Sequence, residues 1–267
     1  ALTSGDNNVF LGYQAGVNQS TASANTIIGY AAGKELTTGG ENVIIGNSAV
    51  DVGVMTALYS VIIGKDAGRN KTSGSNCVFI GYQAGEQVTS GQQNIFMGSN
   101  AGDDFDTESF NIGIGTDALG GAIAGGEYNV AVGHATLDAL TTGDHNTAIG
   151  YQAGTTVTTG SNNTLVGNKA ADELNEGNAN TAIGDEALTN LTTGTGNSAL
   201  GAVAGDNLTT GGQSLFIGQD TKASAGGGTY QFVIGHNVTS AGNSTTTIGY
   251  DTTEIATSHG SADWAAV

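Results

Sequence analysis

The most acidic stretch of the chain carries side chains of the kind that bind hard cations. Carboxylate oxygens are the ligands that calcium prefers, and the candidates are Glu86, Asp103, Asp104, Asp106 and Glu108. Glu86 and Asp103 are 17 residues apart, which is also the period of the repeat described below. The stretch is therefore a candidate calcium site. The alternative is a solvated acidic edge, and no other cofactor is expected.

Catalytic chemistry has little support in the sequence. Phosphate-loop, nucleophile-elbow and zinc-protease motifs are absent. His134 and His236 are six repeats apart, too far to share a metal ion. Glu186 and Asp220, two repeats apart, would suit the spacing of glycosidase carboxylates, but no aromatic sugar platform accompanies them. We expect no catalytic residue and no enzymatic activity, with a polysaccharide depolymerase as an alternative.

Exposed aromatic and irregular segments are the candidates for receptor contact. Tyrosine recurs directly after a glycine at Tyr13, Tyr30, Tyr82, Tyr151 and Tyr250. Such rings can bind a glycan or a protein, or they can pack over the neighbouring repeat. The irregular stretch 50–60 adds the apolar residues Met55 and Leu58, since loops carry function on repeat scaffolds.

These residues are positioned by an internal repeat. A glycine follows an aliphatic residue at Gly12, Gly29, Gly46, Gly64, Gly81, Gly98, Gly115, Gly133, Gly150, Gly167, Gly184, Gly201, Gly218, Gly235 and Gly249. We call these the marker glycines and number other positions from them. Their spacing is 17 residues almost throughout, and short β-branched runs precede them. The pattern predicts an all-β parallel β-solenoid of about fifteen coils.

The strand pattern predicts which side chains leave the coil. Position −1 is apolar, and position −3, which is Val, Ile, Thr, Ser, Leu or Phe, shares a face with it. That face should line the interior, so position −2 should face outward. Because position −2 is also apolar, it is expected to be covered by other copies of the chain. The predicted chain–chain seam consists of Phe10, Ile27, Ile44, Ile62, Phe79, Phe96 and Phe216.

Other rows support stacking of one coil on the next. Alanine dominates position +3, which indicates a narrow interior. Asparagine dominates position −4, which indicates a turn residue that is hydrogen-bonded to the same residue in the adjacent repeats. At position +5 opposite charges mostly alternate, as in Lys34 and Asp51, and this favours adjacent strands. Thr-Thr-Gly turns are interpreted as structural, with an ice-binding surface as an alternative.

Composition excludes several partners. Six basic and 24 acidic residues give a formal net charge of −18, which disfavours nucleic acid. No apolar run is long enough to insert into a membrane. The repeat predicts one solenoid domain over residues 1–251 and a non-repeat segment over residues 252–267.

The repeated signature resembles known attachment proteins. The stretches 146–154 (NTAIGYQAG) and 180–188 (NTAIGDEAL) are similar to head repeats of YadA-type trimeric autotransporter adhesins, and more so to β-roll repeats of bacteriophage tail fibres. The resemblance implies a left-handed β-roll, a homotrimer, and attachment to a host surface glycan or protein. It implies a virion tail fibre or another extracellular, cell-surface location. A bacterial adhesin or a structural extracellular filament is the alternative.

Overall fold

The computed structural model describes residues 4–122, 124–259 and 265–266. It is an all-β parallel β-solenoid with about 14 turns of about 17 residues. The chain divides into two compact units, Ala1–Ala135 and Thr136–Val267. Each turn contributes one short strand that ends immediately before a marker glycine, as the repeat predicts.

The first unit holds eight parallel strands. They are β1 (Val9–Leu11), β2 (Thr26–Ile28), β3 (Val43–Ile45), β4 (Val61–Ile63), β5 (Val78–Ile80), β6 (Ile95–Met97), β7 (Ile112–Ile114) and β8 (Val130–Val132). Each strand pairs with the next with equivalent positions aligned, so that Val61 lies beside Val78 and Phe79 lies beside Phe96. Equivalent positions of successive coils therefore form rows.

The second unit begins with seven parallel strands. They are β9 (Thr147–Ile149), β10 (Thr164–Val166), β11 (Thr181–Ile183), β12 (Ser198–Leu200), β13 (Leu215–Ile217), β14 (Gln231–His236) and β15 (Thr245–Tyr250). Two antiparallel strands follow, β16 (Thr253–Ser258) and β17 (Ala265–Ala266). The predicted non-repeat segment 252–267 thus leaves the parallel pattern. Its residues 260–264 and 267 lie outside the described residues.

The marker glycines are required by the close stacking of the coils. Gly150 has a φ of +137°, a backbone conformation that other residues rarely adopt. A methyl group there would lie 2.1 Å from the carbonyl oxygen of Gly167 in the next coil. Any side chain at this position would therefore push adjacent coils apart.

The asparagine row at position −4 is a buried hydrogen-bond ladder. The Asn163 backbone N–H donates to Asn146 Oδ1 at 3.0 Å, and the Asn180 N–H donates to Asn163 Oδ1 at 2.9 Å. Asn163 Nδ2 also donates to the carbonyl of Gly177 at 2.9 Å. These side chains are almost fully buried, so the structural interpretation of the row is confirmed.

The prediction of which strand face lies inside was wrong. Position −2 points into the coil, and from Ile27 to Val233 its side chains are at most 1% exposed within a single chain. The residues assigned to the chain–chain seam are therefore core residues: Ile27, Ile44, Ile62, Phe79, Phe96 and Phe216. Phe10 in β1 belongs to the same row but is 39% exposed. Because both faces of β3 to β8 are apolar, polarity could not distinguish inside from outside in those strands, whereas the Thr or Ser at position −3 of β9 to β12 does mark the outer face.

The interior is completed by positions +3, +4 and +7. Ala153 at +3 is fully buried, as predicted. Positions −2 and +4 share one space: a methyl group at Gly102 would lie 2.6 Å from the Phe96 ring. In three coils with a small residue at position −2, position +4 is a buried leucine, as in Ala131 with Leu137 and Ala182 with Leu188. In the coils of Ala148 and Ala199 position +4 is glycine, and leucines of adjacent coils take the space: a methyl group at Gly154 would lie 2.5 Å from Leu165, and one at Gly205 would lie 2.8 Å from Leu188. The core is therefore filled by exchanging volume across the coil.

Left-handed backbone conformations close each coil at recurring positions. Non-glycine residues adopt positive φ at position +2, such as Gln83 at +55°, and at position −5, such as Tyr59 at +57°. Position +4 also has a positive φ, whether it is glycine or leucine, with Gly102 at +57° and Leu119 at +55°. Adjacent coils hold these residues in place, and the Tyr59 N–H donates to the carbonyl of Gly40 at 3.3 Å.

Candidate functional site

Positions −1 and −3 form an apolar surface on the outside of the coils, which we call the outward stripe. Position −1 is substantially exposed in several coils, with Ile149 at 41% and Leu200 at 51%. Position −3 is half-buried from Thr26 to Leu215. It carries Val or Ile from β3 to β8 and Thr or Ser from β9 to β12. Each unit thus exposes rows of apolar side chains that a single chain leaves uncovered.

A shallow depression lies on the outward stripe of the second unit. It has a volume of about 210 Å³ and spans strands β11 to β13. Its lining is Thr181, Ile183, Ser198, Ala199, Leu200, Leu215 and Ile217. The lining has no ionisable group, so the depression suits an apolar side chain better than a reacting substrate.

The tyrosines at position +1 are exposed, as their candidacy for receptor contact requires. Their exposed fractions are 65% for Tyr13, 55% for Tyr30, 46% for Tyr82, 49% for Tyr151 and 65% for Tyr250. Tyr13 and Tyr30 stack with ring centroids 5.4 Å apart. Tyr82 lies 5.2 Å beneath Lys65 Nζ, and Tyr250 stacks on His236 at 5.1 Å. These tyrosine rings are therefore both exposed to solvent and packed against a side chain of the adjacent coil.

The six-residue strands β14 and β15 show where position +1 points. In β14, Phe232, Ile234 and His236 alternate with Val233, which is fully buried. Alternation along a strand places position +1 on the same face as positions −1 and −3. Gly235 has a φ of +147°, and the marker glycines from Gly12 to Gly201 have φ between +134° and +147°. The tyrosine row therefore borders the outward stripe.

A second exposed aromatic row, at position −5, was missed by the sequence analysis. Tyr59, Tyr128 and Tyr230 are 53%, 47% and 50% exposed. Phe110 and Tyr128 stack with ring centroids 4.9 Å apart and an angle of 4° between the rings. The row could have been found by asking where the aromatic residues outside positions −2 and +1 fall in the repeat. It lies before the outward stripe, as the tyrosine row lies after it.

The irregular coil between β3 and β4 separates into buried and exposed apolar residues. Met55 is fully buried, and it forms an isolated parallel bridge with Leu36. Its candidacy for receptor contact is therefore wrong, because it completes the core. Leu58 is 38% exposed. Val52 and Val54, in the same irregular coil, are 45% and 58% exposed. These three residues form the exposed apolar part of the coil.

The acidic stretch does not assemble a calcium site. Within the described residues, no three Asp, Glu, His or Cys side chains are arranged to hold a metal ion. Glu86 pairs with Arg69 at 3.6 Å, and Glu108 Oε2 accepts the backbone N–H groups of Asp106 and Thr107, each at 3.0 Å. Asp106 accepts a hydrogen bond from the Thr89 hydroxyl. These carboxylates thus have local structural partners.

Asp103 differs from its neighbours in the same stretch. Burial raises its pKa to about 6, and the charges of Asp104, Asp117 and Glu86 act in the same direction. Its Oδ1 atom is buried and accepts no hydrogen bond from the described residues. At position +5, Asp103 follows Glu86 where the alternation of charge fails, so the Glu86 charge adds a small contribution to the larger effect of burial.

The remaining charge pairs are structural. Lys34 lies 3.6 Å from Asp51, and Arg69 lies 3.6 Å from Glu86, so the predicted pairing of opposite charges at position +5 is confirmed for these coils. Asp220, one of the two carboxylates considered for glycosidase chemistry, is paired with Lys222 at 2.8 Å. That hydrogen bond raises the pKa of Lys222.

The Thr-Thr-Gly turns also have a structural role. The Thr141 hydroxyl donates to the carbonyl of Thr158 at 2.9 Å, and Thr192 donates to Thr209 at 3.0 Å. These hydroxyls therefore link adjacent coils, which confirms the structural interpretation. Within the described parts of the chain, no helix has the length and apolarity needed to cross a bilayer.

Comparison with known proteins identifies no relative. The chain matches no protein-family model, no curated protein and no solved structure. The outward stripe and its two aromatic rows are therefore interpreted from their own geometry.

Proposed function

We propose that the protein is a non-enzymatic, homotrimeric attachment fibre of the phage tail-fibre type, built from left-handed coils. The observation that carries the proposal is the outward stripe. Soluble single chains rarely expose contiguous rows of aliphatic side chains, because burying them is favourable by about 25 cal/mol per Å². Other copies of the same chain can cover equivalent rows on one another.

The predicted self-association is retained, but its surface changes. The seam assigned to position −2 is core, so the proposed contact consists of positions −1 and −3. Rows of Val, Ile and Thr, without charged residues, have the composition of an interface core. The number of chains and the coil handedness rest on the resemblance of the NTAIGYQAG repeat to tail-fibre repeats.

Receptor contact is proposed for surfaces outside the outward stripe. Val52, Val54 and Leu58 are exposed in the irregular coil, and the stacked Tyr13 and Tyr30 are more than half exposed. Such groups suit a host surface glycan or protein. A virion or cell-surface location follows from this role.

Introducing charge into the outward stripe should abolish association while leaving the coil folded. We expect the Ile149→Asp/Ile183→Asp variant to sediment as a monomer where the wild type sediments as a trimer. Both side chains are about 40% exposed in the single chain, so the carboxylates can remain hydrated when the copies separate. Circular dichroism should retain the β signal. Thr142→Asp/Thr193→Asp, in two exposed turns outside the stripe, is the charge-matched control and should remain a trimer.

The attachment role is tested with the assembled protein. Fluorescently labelled trimer should adhere to intact cells of a susceptible strain in a bacterial panel, and protease or periodate treatment of the cells separates protein from glycan receptors. A wild-type protein that sediments as a monomer in dilute native buffer contradicts the proposal. Release of sugar from surface polysaccharide by the pure protein would favour the depolymerase alternative.

A further inference from the structure

The two aromatic rows beside the outward stripe are complementary. In three coils a tyrosine at position −5 is followed six residues later by a ring or a cation at position +1: Tyr59 by Lys65, Tyr128 by His134 and Tyr230 by His236. Phe110, in the same row, is the exception, because Thr116 follows it. The next coil adds Tyr82 to Lys65 and Tyr250 to His236. In the coil that precedes these two, the same position holds Asn47 or Gln219, which offer neither a ring nor a charge.

The position +1 groups are already assembled into pairs within one chain. Lys65 Nζ lies 5.2 Å from the centroid of the Tyr82 ring. His236 and Tyr250 stack with centroids 5.1 Å apart and an interplanar angle of 22°. Each pair presents an exposed surface that combines an aromatic ring with a cation or an imidazole. An additional aromatic ring fits such a surface well.

The complementary ring cannot come from the same coil of the same chain. Six residues of extended chain separate positions −5 and +1 by roughly 20 Å, and the two rows lie on opposite margins of the strand face. In a cyclic assembly each contact joins two different surfaces, so one margin of a copy meets the other margin of the next copy. The ring at position −5 and the pair at position +1 would then face each other.

We propose that copies of the chain associate in parallel, with position −5 of one copy docked on position +1 of its neighbour. Tyr59 contacts the Lys65–Tyr82 pair of the adjacent copy, and Tyr230 contacts its His236–Tyr250 pair. These contacts fix the register of the copies, which the uniform aliphatic rows of the outward stripe do not. The proposal rests on the proposed self-association and specifies its surface.

Cysteine cross-linking tests the docking in the full-length protein with Cys77→Ser as the background. A short bismaleimide should join chains in Tyr59→Cys/Lys65→Cys and in Tyr59→Cys/Tyr82→Cys, giving covalent dimers and trimers on denaturing gels. Tyr230→Cys/His236→Cys tests the second unit independently should the first set fail to assemble. Tyr59→Cys/Asn47→Cys is the matched control, because its second cysteine lies one coil in the opposite direction.

The outcomes separate this inference from the proposed self-association. Sedimentation before cross-linking shows whether each variant is assembled. Assembled variants with no chain-to-chain product at either location overturn the docking but leave self-association intact. Equal cross-linking by the single variants indicates a two-fold contact of like surfaces and also overturns it. A wild-type protein that is monomeric overturns both proposals.

Discussion

Lys71 shows how a single coil departs from the repeat and remains folded. It occupies position +7, where seven coils place a buried Leu or Val, and it has no exposed surface. Burial lowers the pKa of its ammonium group, an effect partly opposed by the nearby Cys77. In the same coil, Cys77 replaces the asparagine of position −4. The two exceptions are therefore connected.

The connection is the carbonyl group of Gly91. In regular coils the asparagine Nδ2 donates to the equivalent carbonyl, as Asn163 does to Gly177 at 2.9 Å. Cys77 lacks that amide, and its Sγ atom lies 3.4 Å from Gly91 O. Lys71 Nζ supplies the stronger donor at 3.0 Å. A buried carbonyl therefore keeps a hydrogen bond although the usual residue is missing.

Restoring the regular residues should reveal coupling between these two positions. Cys77→Asn alone should lower the free energy of unfolding by about 1–3 kcal/mol, because the new amide displaces Lys71 Nζ from its acceptor. Lys71→Leu/Cys77→Asn should recover this loss, since it recreates the leucine and asparagine of regular coils. Urea unfolding of the two single variants and the double variant measures the coupling. Effects that add to within about 0.5 kcal/mol would contradict it.

At the scale of the element, the sequence predicted the coil but not its inside. Glycine spacing and β-branched runs located all the short strands from β2 to β13, because backbone packing allows no side chain at the marker glycine. Which strand face lies inside was not predictable from polarity in β3, since Val43, Ile44 and Ile45 are all aliphatic, although the Thr or Ser at position −3 of β9 to β12 was a signal for the outer face. Volume exchange between positions −2 and +4 was a second signal. A large residue at one position matched by a small residue at the other indicates that both side chains point into the same interior space.

The aromatic rows illustrate a second limit. Tyr82 could be placed on the surface from its position after a marker glycine, and its exposure is confirmed. Its neighbours could not be predicted from local pattern alone, because the contact with Lys65 joins residues in different coils. The acidic stretch shows the same limit, because its hydrogen bonds cannot be predicted from the spacing. Local hydrogen bonds to Thr89 and to backbone N–H groups, invisible in the spacing, engage Asp106 and Glu108.

The shared interior space makes a core swap testable. Phe96→Ala alone should lower the free energy of unfolding by about 3–5 kcal/mol by leaving a cavity. Gly102→Leu alone should cost about 1–3 kcal/mol, because the added side chain meets the Phe96 ring. The double variant reproduces the arrangement of Ala131 with Leu137 and should recover most of the combined loss. A double variant no more stable than the sum of the two changes would contradict the exchange.

At the scale of the whole molecule, an apolar association surface coexists with a large negative charge. The formal net charge of −18 means that copies repel one another at a distance. The outward stripe carries no charge from Val9 to Ile248, so short-range contact does not depend on ion pairs in its centre. Added salt weakens the charge repulsion between copies but does not screen their apolar contact.

Assembly should therefore tighten as salt is added. Raising the ionic strength from about 0.01 M to 0.15 M shortens the screening distance from about 30 Å to 8 Å and weakens repulsion between copies. We expect the dissociation constant measured by sedimentation at low protein concentration to fall over this range. A rise would show that charge pairs such as a contact with Lys65, rather than the outward stripe, dominate association.

The asparagine ladder also has a consequence for how the gene can change. Each coil exchanges its hydrogen bonds with the coil before it and the coil after it, as Asn163 does with Asn146 and Asn180. An in-frame duplication or loss of one whole coil, such as residues 147–163, would recreate the same bonds at the new junction. A deletion of one residue inside a short strand would instead put a side chain where a marker glycine must lie. Recombination between repeats is therefore a tolerated route of variation, whereas a deletion inside a strand is not; the 18-residue spacings after Gly46 and Gly115 show that the turns accept changes of length.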